Sequence, residues 1–92
     1  MIRVVRVTGP SMVPTLRDGD FVVVRSAPAR VGDVVVVAHP RLGRIVKRVV
    51  ERDAGGRIAI AGDGPLSTSR EDLGWIAPRD LVGRVVFRIR RR

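Results

Sequence analysis

The run Val34-Val35-Val36-Val37 decides the fold class. Four consecutive valines are apolar on both faces of an extended chain, so this run is expected in the middle of a sheet. Valine is also β-branched and favours strands over helices. Elsewhere in the chain, no segment of ten or more residues has a convincing helical period. We therefore predict a mostly β fold around a central strand over residues 33–38.

Further strands are predicted on both sides of the valine run. They cover residues 2–7, 21–25, 44–52, 57–61 and 83–89. Asp53-Ala54-Gly55-Gly56 is a strong turn signal that joins two of them as a hairpin. Residues 62–74 are polar and irregular, and residues 78–81 favour one helical turn. The prediction is a single small domain of coiled antiparallel sheets over residues 1–92, with a basic tail at 88–92.

Composition excludes several classes of protein. The 92 residues include no cysteine, which excludes disulfides, thiolate nucleophiles and cysteine-ligated zinc. A single histidine argues against a transition-metal site, and we expect no metal and no cofactor. No apolar run approaches the roughly 18 residues of a membrane span, and no signal peptide opens the chain. These absences predict a soluble, cytoplasmic protein.

The net charge of +9 leaves two interpretations open. Seventeen of the eighteen basic residues are arginines, scattered singly through nearly every segment. Such scatter is more often a solvated surface, but it can also attract nucleic acid or an anionic membrane. The only aromatic residues that could stack on bases are Phe21, Trp75 and Phe87. We expect no specific nucleic acid partner and keep peripheral membrane contact as an alternative.

Residues 8–20, Thr-Gly-Pro-Ser-Met-Val-Pro-Thr-Leu-Arg-Asp-Gly-Asp, form a connection between two strands. We call this segment the serine loop. Its prolines and glycines restrict or permit special backbone angles around a single central serine, Ser11. Gly19 is expected in a turn that needs a positive φ angle. A loop of this composition is typical of one that holds a reactive group in place.

A serine nucleophile needs a base, and two residues are considered. His39 precedes Pro40 in an expected exposed hairpin and is better interpreted as a surface residue. Lys47 shares a strand face with two apolar residues, and desolvation there would lower its pKa until it can accept a proton. The neighbouring Arg48 does not deprotonate in proteins. A surface lysine whose amine reaches water remains the alternative.

These segments together resemble the boxes of type I signal peptidases. The resemblance rests on residues 9–16 with Gly19-Asp20, on Gly32-Asp33-Val34-Val35, on Lys47-Arg48-Val49, on Gly62-Asp63 with a following Ser-Arg pair, and on residues 81–85. It implies a Ser-Lys serine peptidase in which Ser11 is the nucleophile and Lys47 the general base. The Ser11 N–H would contribute to the oxyanion hole.

The resemblance also implies supporting roles, with two departures from the family pattern. Pro10 belongs to the serine box, and Met12 would line the substrate cleft. Gly9 stands where many members have a side-chain oxyanion donor. In the last box Asp63 is present, but Gly64 replaces the usual asparagine and a later aspartate is missing. Either of two serines there, Ser67 and Ser69, would orient Lys47; from residue types alone, a polar surface loop is favoured.

Size and charge extend the resemblance to a substrate class. A compact, soluble, arginine-rich member resembles the maturation peptidases proposed to trim the leader of nickel superoxide dismutase. The implied function is an endopeptidase that removes a leader from a protein precursor. The short Ser-to-Lys spacing is also similar to self-cleaving LexA-type peptidases, although no DNA-binding helix pair precedes the serine loop. A catalytically degenerate, basic binding module is the third alternative.

Overall fold

A computed structural model describes residues 1–90, which form one seven-stranded sheet. In chain order its elements are β1 (Ile2–Arg6), β2 (Phe21–Arg25), β3 (Val34–His39), β4 (Gly43–Arg52), β5 (Ile58–Ala61), α1 (Arg70–Leu73), β6 (Trp75–Ile76), a 3-10 turn (Pro78–Asp80) and β7 (Leu81–Ile89). The strand order across the sheet is β1-β2-β7-β3-β4-β5-β6, and all neighbours are antiparallel. The predicted mostly β fold is confirmed.

The valine run lies at the centre of this sheet, as predicted. β3 is bordered by β7 on one side and β4 on the other. Val35, Val36 and Val37 are all fully buried. Both faces of this strand are covered because successive side chains point to opposite faces and a packed layer lies on each.

The two packed layers are separate hydrophobic clusters. The first core contains Val5, Val7, Met12, Leu16, Val22, Val24, Val36 and Val46. The second core contains Ala29, Val35, Val37, Val49, Ile58, Ile60, Leu73 and Ile76. The first lies mainly under β1 and β2 and the second mainly under β3, β4 and β5. The first core therefore covers one face of the sheet at β1 and β2, and the second core covers the opposite face at β3, β4 and β5.

The boundaries of the elements differ from prediction mostly by one or two residues. β2 has the predicted limits, β7 begins two residues early at Leu81, and the predicted helical turn is the 3-10 turn. The two-residue β6 was not predicted, because so short a strand carries no period. β7 extends to Ile89, so the predicted basic tail begins inside the sheet; residues 91 and 92 lie outside the described part. Among residues 1–90, no helix is long and apolar enough to cross a membrane.

Candidate active site

Backbone hydrogen bonds close the serine loop at its base. The Val7 N–H donates to the Asp20 carbonyl over 2.7 Å, and the Gly19 N–H donates back to the Val7 carbonyl over 2.8 Å. Inside the loop, the Gly9 N–H donates to Asp18 Oδ1 over 2.8 Å. Gly19 has a φ angle of 89°, so the predicted positive-φ turn is confirmed. These bonds fix both ends of the segment that carries Ser11.

The middle of the serine loop is anchored by packing. Met12 is 1% exposed and Leu16 is 3% exposed, and both belong to the first core. The Leu16 N–H donates to the Met12 carbonyl over 2.9 Å and closes one turn between them. Met12 therefore lies inside the first core, and a role for it in lining a substrate cleft stays a prediction. Its long apolar side chain fills the core and holds the half-buried Ser11 beside it.

Asp63 connects the serine loop to β4. Its carboxylate accepts a hydrogen bond from Thr15 Oγ1 over 2.6 Å and two from Arg48, with Nε at 2.8 Å and Nη2 at 2.7 Å. Such a bidentate pair has a defined geometry. These hydrogen bonds lower the pKa of the Asp63 carboxyl, and those from Arg48 have the largest effect. Arg48 also donates to the Gly32 carbonyl over 2.7 Å, so it joins three segments.

Two glycines let the loop after β5 approach the serine loop. An added Cβ on Gly62 would lie 2.4 Å from the Ser11 carbonyl oxygen and 2.5 Å from Ser67 Cβ. A Cβ on Gly64 would lie 2.6 Å from the Val13 carbonyl oxygen. The Gly64 N–H uses this proximity to donate to the Ser11 carbonyl over 2.9 Å. Glycine at position 64, the departure from the family pattern, is thus required by close backbone contact.

Lys47 is buried in the half of the sheet that carries the second core. Lys47 is 4% exposed, so the alternative that it is a surface lysine is wrong. It pairs across the sheet with the fully buried Val35, and Val49 follows on the same face. Burial among these side chains lowers the pKa of the Lys47 ammonium. Its environment favours the neutral amine, the form that can accept a proton.

The two serines of the last box have different positions. Ser69 is the N-cap of α1, where its hydroxyl accepts a hydrogen bond from the Asp72 N–H over 3.2 Å. Ser67 Oγ donates to the Gly64 carbonyl over 2.9 Å, and it would lie 3.0 Å from a Cβ on Gly62. Only Ser67 therefore lies at the contact with the serine loop.

His39 has a structural position that the sequence did not predict. The expectation of a surface loop is wrong, because the residue ends β3 and is 4% exposed. Its Nδ1 lies 3.1 and 3.3 Å from the backbone nitrogens of Arg41 and Leu42 and accepts from both, so Nε2 donates to the Leu73 carbonyl over 2.8 Å. Both ring nitrogens are occupied, which leaves neither available as a base.

Sequence reasoning missed two residues that support the site, Thr15 and Arg48. Both were noted as parts of motifs, but neither was given a role. Arg48 lies next to Lys47 on the opposite strand face, and Asp63 is the only acidic residue between positions 54 and 70. The sequence signal for the site was therefore a possible ion pair between Asp63, an isolated acid, and Arg48, the arginine beside the candidate base.

The comparisons with known proteins give one result. A family model described as Peptidase S24-like matches residues 2–70, well over half of the chain. That range includes the serine loop, Lys47 and the loop after β5. No curated protein matches the chain.

Proposed function

The chain belongs to the Peptidase S24-like family of serine peptidases, and on this basis we propose that Ser11 and Lys47 form its catalytic dyad. Membership supports a serine peptidase in general, and the local geometry supports this particular pair. Ser11 is the serine of the tightly held loop. Lys47 is a buried lysine, and its lowered pKa suits a general base.

One observation carries the proposal, the contact of Gly62 with Ser11. The β4–β5 ladder ends with Arg48 paired with Ala61, and the residues next to this pair are Lys47 in β4 and Gly62 just after β5. A Cβ on Gly62 would lie only 2.4 Å from the Ser11 carbonyl oxygen. The position of Gly62, next to the end of the Arg48–Ala61 ladder and against Ser11, supports the proposed pairing of Lys47 with Ser11.

The chemistry follows from these two groups. The neutral Lys47 amine accepts the Ser11 hydroxyl proton while Oγ attacks the scissile carbonyl carbon. The resulting oxyanion is stabilised by backbone N–H groups, including that of Ser11, because Gly9 has no side chain to donate. Lys47 then gives its proton to the leaving amine. Water, deprotonated by Lys47, hydrolyses the acyl-enzyme and restores both residues.

The proposed substrate is a protein precursor whose leader is removed in the cytoplasm. The signal peptidase resemblance of residues 9–20 supports cleavage of a leader by an endopeptidase. The compact, arginine-rich chain supports a maturation peptidase of the kind proposed for nickel superoxide dismutase. Incubation with such precursors, followed by mass spectrometry of the products, identifies the broken bond.

The dyad is tested without knowledge of the substrate by a fluorophosphonate probe, which reacts covalently with activated serine hydroxyls. We expect labelling of wild type at Ser11, located by peptide mass spectrometry, and none of Ser11→Ala. Ser26→Ala is the matched control, since Ser26 lies at the end of β2 outside the site. Labelling should rise with pH below lysine's ordinary value of about 10.4. Equal labelling of Ser11→Ala would exclude the dyad.

Self-cleavage is a second candidate function, because the matched family includes LexA-type Ser-Lys peptidases. The two candidates differ in where the cut occurs. A self-cleaving chain loses mass on incubation alone, at a rate independent of its concentration. A precursor-cleaving enzyme keeps its own mass and shortens an added precursor. A degenerate binding module would do neither and would also fail to react with the probe.

A further inference from the structure

The first residue of the predicted basic tail, Arg88, points inward from the sheet. Its neighbours in β7, Phe87 and Ile89, are 64% and 45% exposed, whereas Arg88 is half-buried. Arg88 pairs with Val22 of β2, which is fully buried in the first core. Paired residues of a sheet direct their side chains to the same face. The side chain of Arg88 therefore lies on the face that the first core and the serine loop cover.

The Arg88 guanidinium reaches the backbone of the serine loop. Its Nη1 donates a hydrogen bond to the Thr15 carbonyl oxygen, although the two residues are 73 positions apart. Thr15 belongs to the turn over residues 11–16, which begins with Ser11. As at the end of a helix, the last carbonyls of such a turn need partners outside it, and basic side chains commonly bind them. Arg88 therefore caps the turn that carries the proposed nucleophile.

Thr15 is held by two different parts of the molecule. Its hydroxyl donates to Asp63 Oδ2 over 2.6 Å, and Asp63 is in turn bound by Arg48. Its carbonyl oxygen accepts from Arg88. The first bond attaches the turn to the loop after β5, and the second attaches it to β7. Two separate elements thus fix the orientation of the turn on the first core.

We propose that Arg88 is a positioning residue for Ser11. It acts through the Thr15 carbonyl and touches neither the substrate nor the reacting atoms. Its guanidinium is always charged, so this hydrogen bond is charge-assisted and roughly twice as strong as one between neutral groups. The inference rests on the proposed dyad of Ser11 and Lys47, because a residue that orients the serine affects catalysis only if the serine reacts.

The competing interpretation is that the aliphatic stem of Arg88 merely covers the first core beside Val22. Arg88→Met separates the two, because methionine keeps an apolar stem and loses the guanidinium. We expect fluorophosphonate labelling of Ser11 to slow by about 10- to 100-fold, since a small misplacement of a reacting group has effects of this size. Arg88→Lys keeps the cation and should recover part of the loss.

The matched control is Arg84→Met, a half-buried arginine of the same strand that pairs with Val35 on the face of the second core. It should label at the wild-type rate, and an equal loss there would overturn the specific role of Arg88. Labelling of Arg88→Met at the wild-type rate would overturn the inference and leave the dyad intact. Failure of wild type itself to label at Ser11 would instead overturn the dyad.

The pH–rate profile of labelling separates the position of Ser11 from the protonation state of Lys47. As the proposed base, Lys47 sets the pH at which labelling rises. A residue that only positions the serine lowers the maximal rate and leaves the midpoint of the profile unchanged, which is the result we expect for Arg88→Met. A shifted midpoint with an unchanged maximal rate would overturn the proposal, because Arg88 would then act on the base.

Backbone NMR shows whether the effect passes through Thr15. Loss of the hydrogen bond in Arg88→Met should move the carbonyl ¹³C resonance of Thr15 and the amide resonance of Ser11. Arg84→Met should leave both resonances in place. An unmoved Thr15 carbonyl in an Arg88→Met variant that labels slowly would overturn the route through the serine loop.

Discussion

The two cores hold the two proposed catalytic residues in different ways. On the first core, Met12 and Leu16 of the serine loop are themselves buried, so packing determines where Ser11 stands. On the second core, strand residues such as Val35 and Val49 surround Lys47, and burial lowers its pKa. One core therefore sets a position and the other sets a protonation state.

The serine loop and the loop after β5 meet where almost no side chains intervene. Gly62 and Gly64 allow the loop after β5 to lie against the backbone of the serine loop. Asp63, between them, is held by Thr15 on one side and Arg48 on the other. Mutations should therefore be able to change the position of Ser11 and the protonation state of Lys47 separately. Mutations at the contact between the serine loop and the loop after β5 should affect both.

The largest expected effect is that of Lys47→Met on reaction rate. Methionine fills a similar apolar space but cannot accept a proton, so fluorophosphonate labelling should fall about 10²- to 10⁴-fold. Stability, measured by urea unfolding at neutral pH, should be equal or higher because the desolvation cost of a buried basic group is removed. Retained labelling would separate Lys47 from the chemistry and leave it as a structural residue.

Wild type and Lys47→Met also test the lowered pKa of Lys47, because a pKa that differs between the folded and unfolded states makes stability depend on pH. Burial lowers the pKa of Lys47 in the folded state, so the folded chain releases its proton at lower pH than the unfolded chain. Wild type should therefore gain stability relative to Lys47→Met as pH rises from the folded pKa to about 10.4. Lys47 is the only lysine, so its side-chain NMR titration is free of overlap. A constant difference would contradict burial of the amine.

Truncation in each core sharpens the contrast. Met12→Ala in the first core and Ile76→Ala in the second should each cost about 2–5 kcal/mol in the free energy of unfolding. Only Met12→Ala should also slow labelling of Ser11 at a temperature where both variants are folded, because its cavity lies beneath the serine loop. Circular dichroism checks folding. Equal labelling of the two variants would mean that packing of the first core does not position the serine.

Gly62→Ala tests the contact between the loops. Its new methyl group would meet the Ser11 carbonyl oxygen at 2.4 Å, which forces the loops apart and should cost about 1–3 kcal/mol along with most labelling. Gly55→Ala is the matched control, because its nearest contact is Asp53 Oδ1 at an ordinary 3.5 Å. Thermal unfolding and probe labelling are both measured. Tolerance of alanine at 62 would show that the loops adjust independently.

The smallest expected effect is that of Asp63→Asn. Loss of the charged partner of Arg48 should cost about 1–3 kcal/mol and reduce labelling moderately. The pKa of Asp63 is lowered in the folded state, so its stabilisation is present at neutral pH and disappears as pH falls through that value. Asp53→Asn is the control, since Asp53 forms a similar pair with Arg57 in the exposed β4–β5 turn. Equal losses of labelling in Asp63→Asn and Asp53→Asn would show that the Asp63–Arg48 pair has no specific effect on Ser11.

Much of the fold was predictable, because valine runs and turn residues carry a clear local signal. The central position of Val34–Val37 and the β4–β5 hairpin follow from residue type alone. Burial was less predictable. Lys47 and His39 are both polar, and sequence gives a surface position as the ordinary expectation for each. Only tertiary packing, through Val35 beside one and the Leu73 carbonyl beside the other, decides that they are inside.

The candidate site was predictable in its residue types and not in its contacts. Ser11 was predicted from the serine loop and Lys47 from its strand face and the resemblance, and the role of each stays a prediction. The burial of Met12 was not predicted, because a motif does not tell which loop residues face the core. The different positions of Ser67 and Ser69 depend on α1, whose N-cap uses Ser69, and which of the two orients Lys47 stays a prediction. Contacts between segments 48 residues apart, such as Thr15 with Asp63, have no local signature.

The imidazole ring of His39 provides a natural NMR probe of the loop after β5. Its Nε2 proton is held against the Leu73 carbonyl and shielded from solvent, so it should exchange slowly enough for a resolved downfield NMR signal. The chain has no other histidine, and the signal needs no assignment. Leu73 ends the helix that closes the loop after β5. Broadening of this one resonance would therefore time the opening of the segment that bears Ser67.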